Sequence, residues 1–166
     1  GKNAGVVLGK LVAANLTVNL ASGELYADDA LDEQLSEFAS GTVAMETNDL
    51  TDENAAEVYG CDVSEKVVTY NVGDTAPSGK LAYYKSLMRN KKKYYKGILY
   101  PCARAALGND NAQTKGSSIT FATTQTTFTI MADENGDWRK TETFETEAEA
   151  KTWINTQCAI ATTPGG

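Results

Sequence analysis

The sequence predicts a mainly β protein, an antiparallel sandwich or split barrel with one or two short flanking α-helices. Three observations predict it. Thr, Val and Tyr are plentiful while only 3 prolines interrupt the chain, a usage that fits pleated, half-buried segments. Apolar and polar residues alternate in several stretches, the period-two mark of a strand with one wet face. Clusters of Gly, Pro, Asn, Asp and Ser punctuate those stretches at turn-like intervals. At 166 residues, with 42% hydrophobic and 22% charged residues, the chain suits one folding unit. Residues 1–160 are expected to form a single domain and ATTPGG, residues 161–166, a loose tail.

The elements follow in order. Val12, Ala14, Leu16, Val18 and Leu20 alternate with Asn15, Thr17 and Asn19, which predicts a half-buried strand. Ala21-Ser22-Gly23-Glu24 is expected to turn the chain, and LYADDALDEQLSEFAS (25–40), with weak periodicity and five carboxylates, to form an extended acidic loop. GTVAMETN (41–48) resumes as a strand. LTDENAAEVYG then opens on Thr51 as N-cap, with acids in the first turn and Gly60 as terminator, a short helix for the flank of a sheet. CDVSEKVVTYNV (61–72) reads as one strand and GDTAPSG (73–79) as a loop.

KLAYYKSLM and YYKGILYPCARAAL, separated by RNKKK, predict two antiparallel strands and a polar turn. Pro101 cannot donate to a ladder, so its strand is expected to be an edge or bulged there. In SSITFATTQTTFTIM the apolar phase flips between Ile119/Phe121 and Phe128/Ile130, predicting a bulge near residues 123–125. DENGD (133–137) contains Asn-Gly, the favoured tight hairpin turn, with WRKTETF as the return strand. Thr146-Glu147-Ala148-Glu149 is a capping box that starts a final helix, with Trp153 and Ile154 available for docking. The total is about seven strands and two helices.

Composition excludes much chemistry. The chain has no histidine, so Ser-His-Asp and Cys-His arrangements cannot be built and the usual zinc sites lose their nitrogen ligands. Cys61, Cys102 and Cys158 are an odd, widely spaced set without CxxC, which reads as free buried thiols. Asp133, Asn135 and Asp137 match the first spacing of a calcium loop, but the sixth-position glycine and twelfth-position glutamate are missing. No catalytic residue, metal ligand or cofactor is expected. No stretch is apolar enough to span a membrane, and GKNAGVVLGK lacks the apolar core of a signal peptide.

Charge is divided unevenly. Residues 1–79 carry −11, residues 80–104 carry +8 with no acid at all, and residues 105–166 carry −4. The basic section interleaves Lys80, Lys85, Arg89, Lys91, Lys92, Lys93, Lys96 and Arg104 with Tyr83, Tyr84, Tyr94, Tyr95 and Tyr100. Such a pattern suits single-stranded nucleic acid, a contact between copies, or a solvated hairpin tip. The −15 of the remaining chain works against a polyanion.

Taken together, the order of segments resembles the major tail (tail tube) proteins of long-tailed bacteriophages, the group common in phages of Gram-positive bacteria. Residues 25–61 look like that family's acidic loop, strand and short helix. KLAYYKSLMRNKKKYYKGILYPCARA looks like its central hairpin, and QTKGSSITFATTQTTFTI with DENGDWRKTETFETEAEAKTWI like its C-terminal strand, turn and helix. The resemblance implies a virion structural protein assembled in the host cytoplasm, six copies to a ring, with rings stacked into a hollow tube. It further implies tape measure, tail terminator and distal tail proteins as neighbours, and genomic DNA passing through without specific binding. Opposite charge suggests that Asp28, Asp29, Asp32, Glu33 and Glu37 meet Lys91, Lys92, Lys93 and Lys96 of another copy. Polar uncharged positions, Asn15, Thr17, Asn19, Thr120, Thr124 and Thr126, are the candidates for a lumen wall that does not grip phosphate.

Overall fold

The computed structural model describes residues 4–27, 30–107 and 123–160, with the backbone alone for those between 23 and 35. It is mainly β, an antiparallel sheet that curls into a half-barrel and carries two helices. Strand β1 (Leu11–Ala27) and strand β2 (Ala30–Thr47) form one long hairpin. The turn expected at residues 21–24 and the acidic loop expected over 25–40 are therefore corrected: the described residues of both stretches are strand. The sequence there lacks the apolar alternation that identifies a half-buried strand.

Helix α1 (Asp52–Tyr59) is capped as its sequence predicts. The Thr51 hydroxyl accepts from the Asn54 amide, and Gly60 takes φ 70° and donates back to Ala56. Residues 61–72 hold two short strands rather than one, β3 (Asp62–Ser64) and β4 (Val67–Thr69), a hairpin turned at Glu65 with φ 55°. Strands β5 (Ser78–Arg89) and β6 (Lys92–Ala106) form the predicted hairpin, with Asn90 and Lys91 both at positive φ in its two-residue turn.

Strand β7 (Thr124–Met131) joins β2 to β6, and strand β8 (Lys140–Phe144) pairs with β6 further along the same edge. Because β7 and β8 are both antiparallel to β6, DENGD does not reverse the chain, contrary to the hairpin expected there. The Asp133 carboxylate accepts from the Asn135 and Asp137 amides and Gly136 takes φ 84°, so the local turn forms as a jog between two collinear strands. Helix α2 (Glu147–Gln157) carries the full Thr146–Glu149 capping box. The sheet order is β1-β2-β7-β6-β5, with β8 on β6. Eight strands and two helices are present among the described residues.

Pro101 explains how one strand serves three partners. On one side of β6 the pairing passes from β8, ending at Leu99, to β7, starting at Cys102. On the other side a register shift separates Leu81↔Tyr100 from Gly79↔Ala103. Proline, without an N–H, stands where no ladder bond is needed, so it is at a bulge and not on an edge. The extra residue also resets the pleat. It keeps Ile98, Tyr100, Ala103 and Ala105 on one face, where they form the core with Val43, Met45, Leu81, Phe128 and Ile130.

On the other face, Trp153 of α2 lies over Gly97 and stacks obliquely with Phe144 at 5.9 Å. A Cβ on Gly97 would fall 2.7 Å from the indole, which is why glycine is required under the helix. The phase flip expected around residues 123–125, with Ile119 and Phe121, and the ATTPGG tail lie outside the described residues. All three cysteines are free, Cys61 buried, and burial pushes the Cys61 and Cys158 thiols above their ordinary pKa.

Candidate assembly surfaces

Rows of directly opposed residues share one face of a sheet, and the registers here define two faces across five strands. Val18, Gly41, Ile130, Ala103 and Gly79 form a core-facing row. One step away, Thr17, Thr42, Thr129, Arg104 and Ser78 form a row on the opposite face. Asn15, Ala44, Thr127 and Ala106 continue it. This second face is almost uncharged. Its Arg104 donates twice to Ser78 Oγ, at 2.9 and 3.2 Å, and its Glu46 accepts from the Thr123 hydroxyl.

Asn15, Thr17 and Asn19 are exposed on that face as the sequence predicts, and Asn19 donates to Ser40 Oγ at 3.2 Å. Thr124 and Thr126 are corrected: they share the face of Phe128 and Ile130, and Thr126 is only 3% exposed. The residues of β7 that belong to the polar wall are Gln125, Thr127 and Thr129. Sequence reading missed them by one residue of phase, and the apolar parity of Phe128 and Ile130 was the signal that could have found them. Thr120 lies outside the described residues.

Both outer strands of the sheet are open along one side. The open side of β1 carries no strand partner among the described residues, and neither does that of β5. Around β5 runs a groove of about 1410 Å³, lined by Leu81 and Tyr83 on one face, Ala82 and Tyr84 on the other, and bounded by residues 4–11 and α2. A slot that reaches both faces of an edge strand has the shape needed to receive another strand. At the opposite edge, β2 is supported by β7 only along Gly41–Thr47. The remainder of the β1–β2 hairpin extends as an arm, on which Leu20 is 60% exposed.

The charged hairpins are placed by the same registers. Ala30 and Lys92 are each eleven residues from the shared row Gly41–Ile130–Ala103, in the same direction. The arm, with Asp32, Glu33 and Glu37 on β2, and the basic β5–β6 turn therefore end at the same end of the sheet. Asp28 and Asp29 lie outside the described residues, and Glu37 is exposed. Lys92 pairs with Glu145 at 3.0 Å, which raises its pKa, and also lies over the Tyr94 ring; Lys93 lies over Tyr95. Among the described residues Arg89, Lys91, Lys93 and Lys96 have no ion pair.

The tyrosines of the basic section are engaged inside the subunit. Tyr100 is fully buried and shares a hydrogen bond with Tyr83 at 3.3 Å, and burial first, then Tyr83, pushes its phenol pKa well up. Tyr84 donates to Glu147 at 2.7 Å, which pushes the Tyr84 pKa up to about 12 and pulls Glu147 below the usual carboxylate range. Among the described residues no cluster of His, Cys, Asp or Glu is arranged to hold a metal ion, and no helix is long and apolar enough to cross a membrane. Compared with family models, curated proteins and solved structures, the chain matches none.

Proposed function

We propose that this chain is a structural subunit that assembles as hexameric rings, stacked into the hollow tail tube of a phage or phage-derived particle. The observation that carries the reading is the pair of open edges. A half-barrel whose long outer strands each have one side without a strand partner among the described residues, with a slot around one of them, is a liability as a monomer and a connector in an assembly. Strands β1 and β5 both run toward the end that bears the two hairpin turns. Copies related by a ring axis would therefore bring β1 of one beside β5 of the next, in parallel.

Side-by-side placement also brings the acidic arm of one copy level with the basic turn of its neighbour, where Lys91, Lys93 and Lys96 face Asp32, Glu33 and Glu37. Exposed pairs of this kind contribute about 0 to 1 kcal/mol each and act mainly on register and assembly rate. The polar face of Asn, Gln and Thr residues suits a wall along which DNA slides, because it offers phosphate almost no cation. On this reading the subunit resides in the virion tail, next to tape measure, terminator and distal tail proteins. Negative-stain images of purified protein at rising concentration test it: rings or hollow tubes are expected, and a dispersed monomer throughout would overturn it.

A further inference from the structure

The two ends of the sheet differ in more than the position of the turns. At one end is the β5–β6 turn, where residues 85–93 carry Lys85, Arg89, Lys91, Lys92 and Lys93 with no acid. Beside them Met88 is 67% exposed. At the other end, where Thr47 and Ser78 begin and end their ladders, the chain hangs α1 and the β3–β4 hairpin. Residues 49–74 there hold seven carboxylates against Lys66, a net −6. The small hairpin pairs with no other strand among the described residues, and it leaves Val63 and Val67 exposed on its two faces. Ser78 to Arg89 separates the two ends by roughly 40 Å of strand, at about 3.3 Å per residue.

We infer that the β3–β4 hairpin is the docking face for the basic β5–β6 turn of a second copy placed head to tail. The arm cannot fill this role, because it projects from the same end as the basic turn. Two features of the facing ends match. Met88 meets Val67, which shares one face of β3–β4 with Asp62, and Arg89 meets Asp62 and Glu65. Apolar contact at the centre with charge around it is the usual anatomy of a specific interface. A face that joins an unlike face on the next copy, without rotation that closes a ring, propagates without limit. The inference rests on the tube reading and assigns its contact between rings, separate from the edge contact within a ring.

The test uses the full chain in four forms: wild type, Val67→Glu, Arg89→Glu, and Arg89→Glu with Glu65→Lys. All these positions are exposed, and unchanged thermal unfolding checks that each variant folds. Sedimentation and negative-stain imaging should show Val67→Glu and Arg89→Glu as rings, with the concentration needed for tubes raised about tenfold or more. Adding Glu65→Lys to Arg89→Glu should restore tubes. Tubes of wild-type length from both single variants overturn the contact and leave the ring reading intact. A wild type that forms neither rings nor tubes removes the reading itself and the contact with it.

Discussion

The two long hairpins are built from the same element and lie at opposite edges of the sheet. The β5–β6 hairpin is covered on one face by the core and on the other by α2, and β6 is paired along its second edge by β7 and β8. Its ladder has one register shift, placed where Pro101 requires it. The β1–β2 hairpin has three register shifts, and only its base, up to Gly41, is braced by β7. Beyond the base, Trp138 stacked on Phe38 at 4.3 Å is the described contact that steadies the arm. A ladder alone gives marginal stability in water. The braced hairpin therefore holds the fold, and the arm is surface available to a neighbour.

The largest expected difference comes from deleting one large side chain in each. Tyr100→Ala removes the centre of the core and should cost about 3 to 5 kcal/mol in chemical denaturation, by analogy with other buried aromatic truncations. Leu20→Ala on the arm should stay within about 0.5 kcal/mol. Equal losses would mean that the arm is part of the core. Next is the close approach of α2 to β6. Gly97→Ala forces a methyl into the Trp153 indole and should destabilise by about 1 to 3 kcal/mol, with loss of near-ultraviolet signal from the displaced tryptophan.

A smaller effect is expected at the start of that helix. Thr146→Ala deletes the hydroxyl half of the capping box, which accepts from the Glu149 amide, leaves the backbone half in place, and should cost about 1 kcal/mol, read as a lower thermal midpoint. The smallest is electrostatic. Glu147 has a folded pKa below its ordinary 4.5, first through the hydrogen bond from Tyr84 and then through Lys151. Its contribution is complete above that ordinary value and is lost as pH falls through the folded one. Carboxyl titration by NMR should show the Glu147 pKa return toward 4.5 in Tyr84→Phe; an unmoved value would locate the cause elsewhere.

What the sequence made legible was local chemistry. Thr51 and Gly60, Thr146 and Glu149, and the polar RNKKK turn each specify a cap or turn within four or five residues, and each formed. What stayed hidden depended on partners far along the chain. Asn135-Gly136 turns the chain whether or not the next strand returns to the last, and only the pairing of Lys140–Phe144 with β6 decides that it does not. Residues 21–40 carry no alternation, and the strands there are defined by the β1–β2 ladder. The polar wall was visible on β1, where Leu16 fixes the parity. It was misread by one residue on β7, where threonines occupy both faces.

Both accounts of the edges, open in the monomer and closed by neighbours, meet in one measurement. Amide hydrogen exchange on assembled and dissociated protein reads each strand separately. The account predicts that Val12–Leu20 of β1 and Ser78–Arg89 of β5 gain protection on assembly, while Ile98–Tyr100 and Phe128–Ile130 are already protected and change little. Assembly that leaves both β1 and β5 exchanging at their dissociated rates would contradict it.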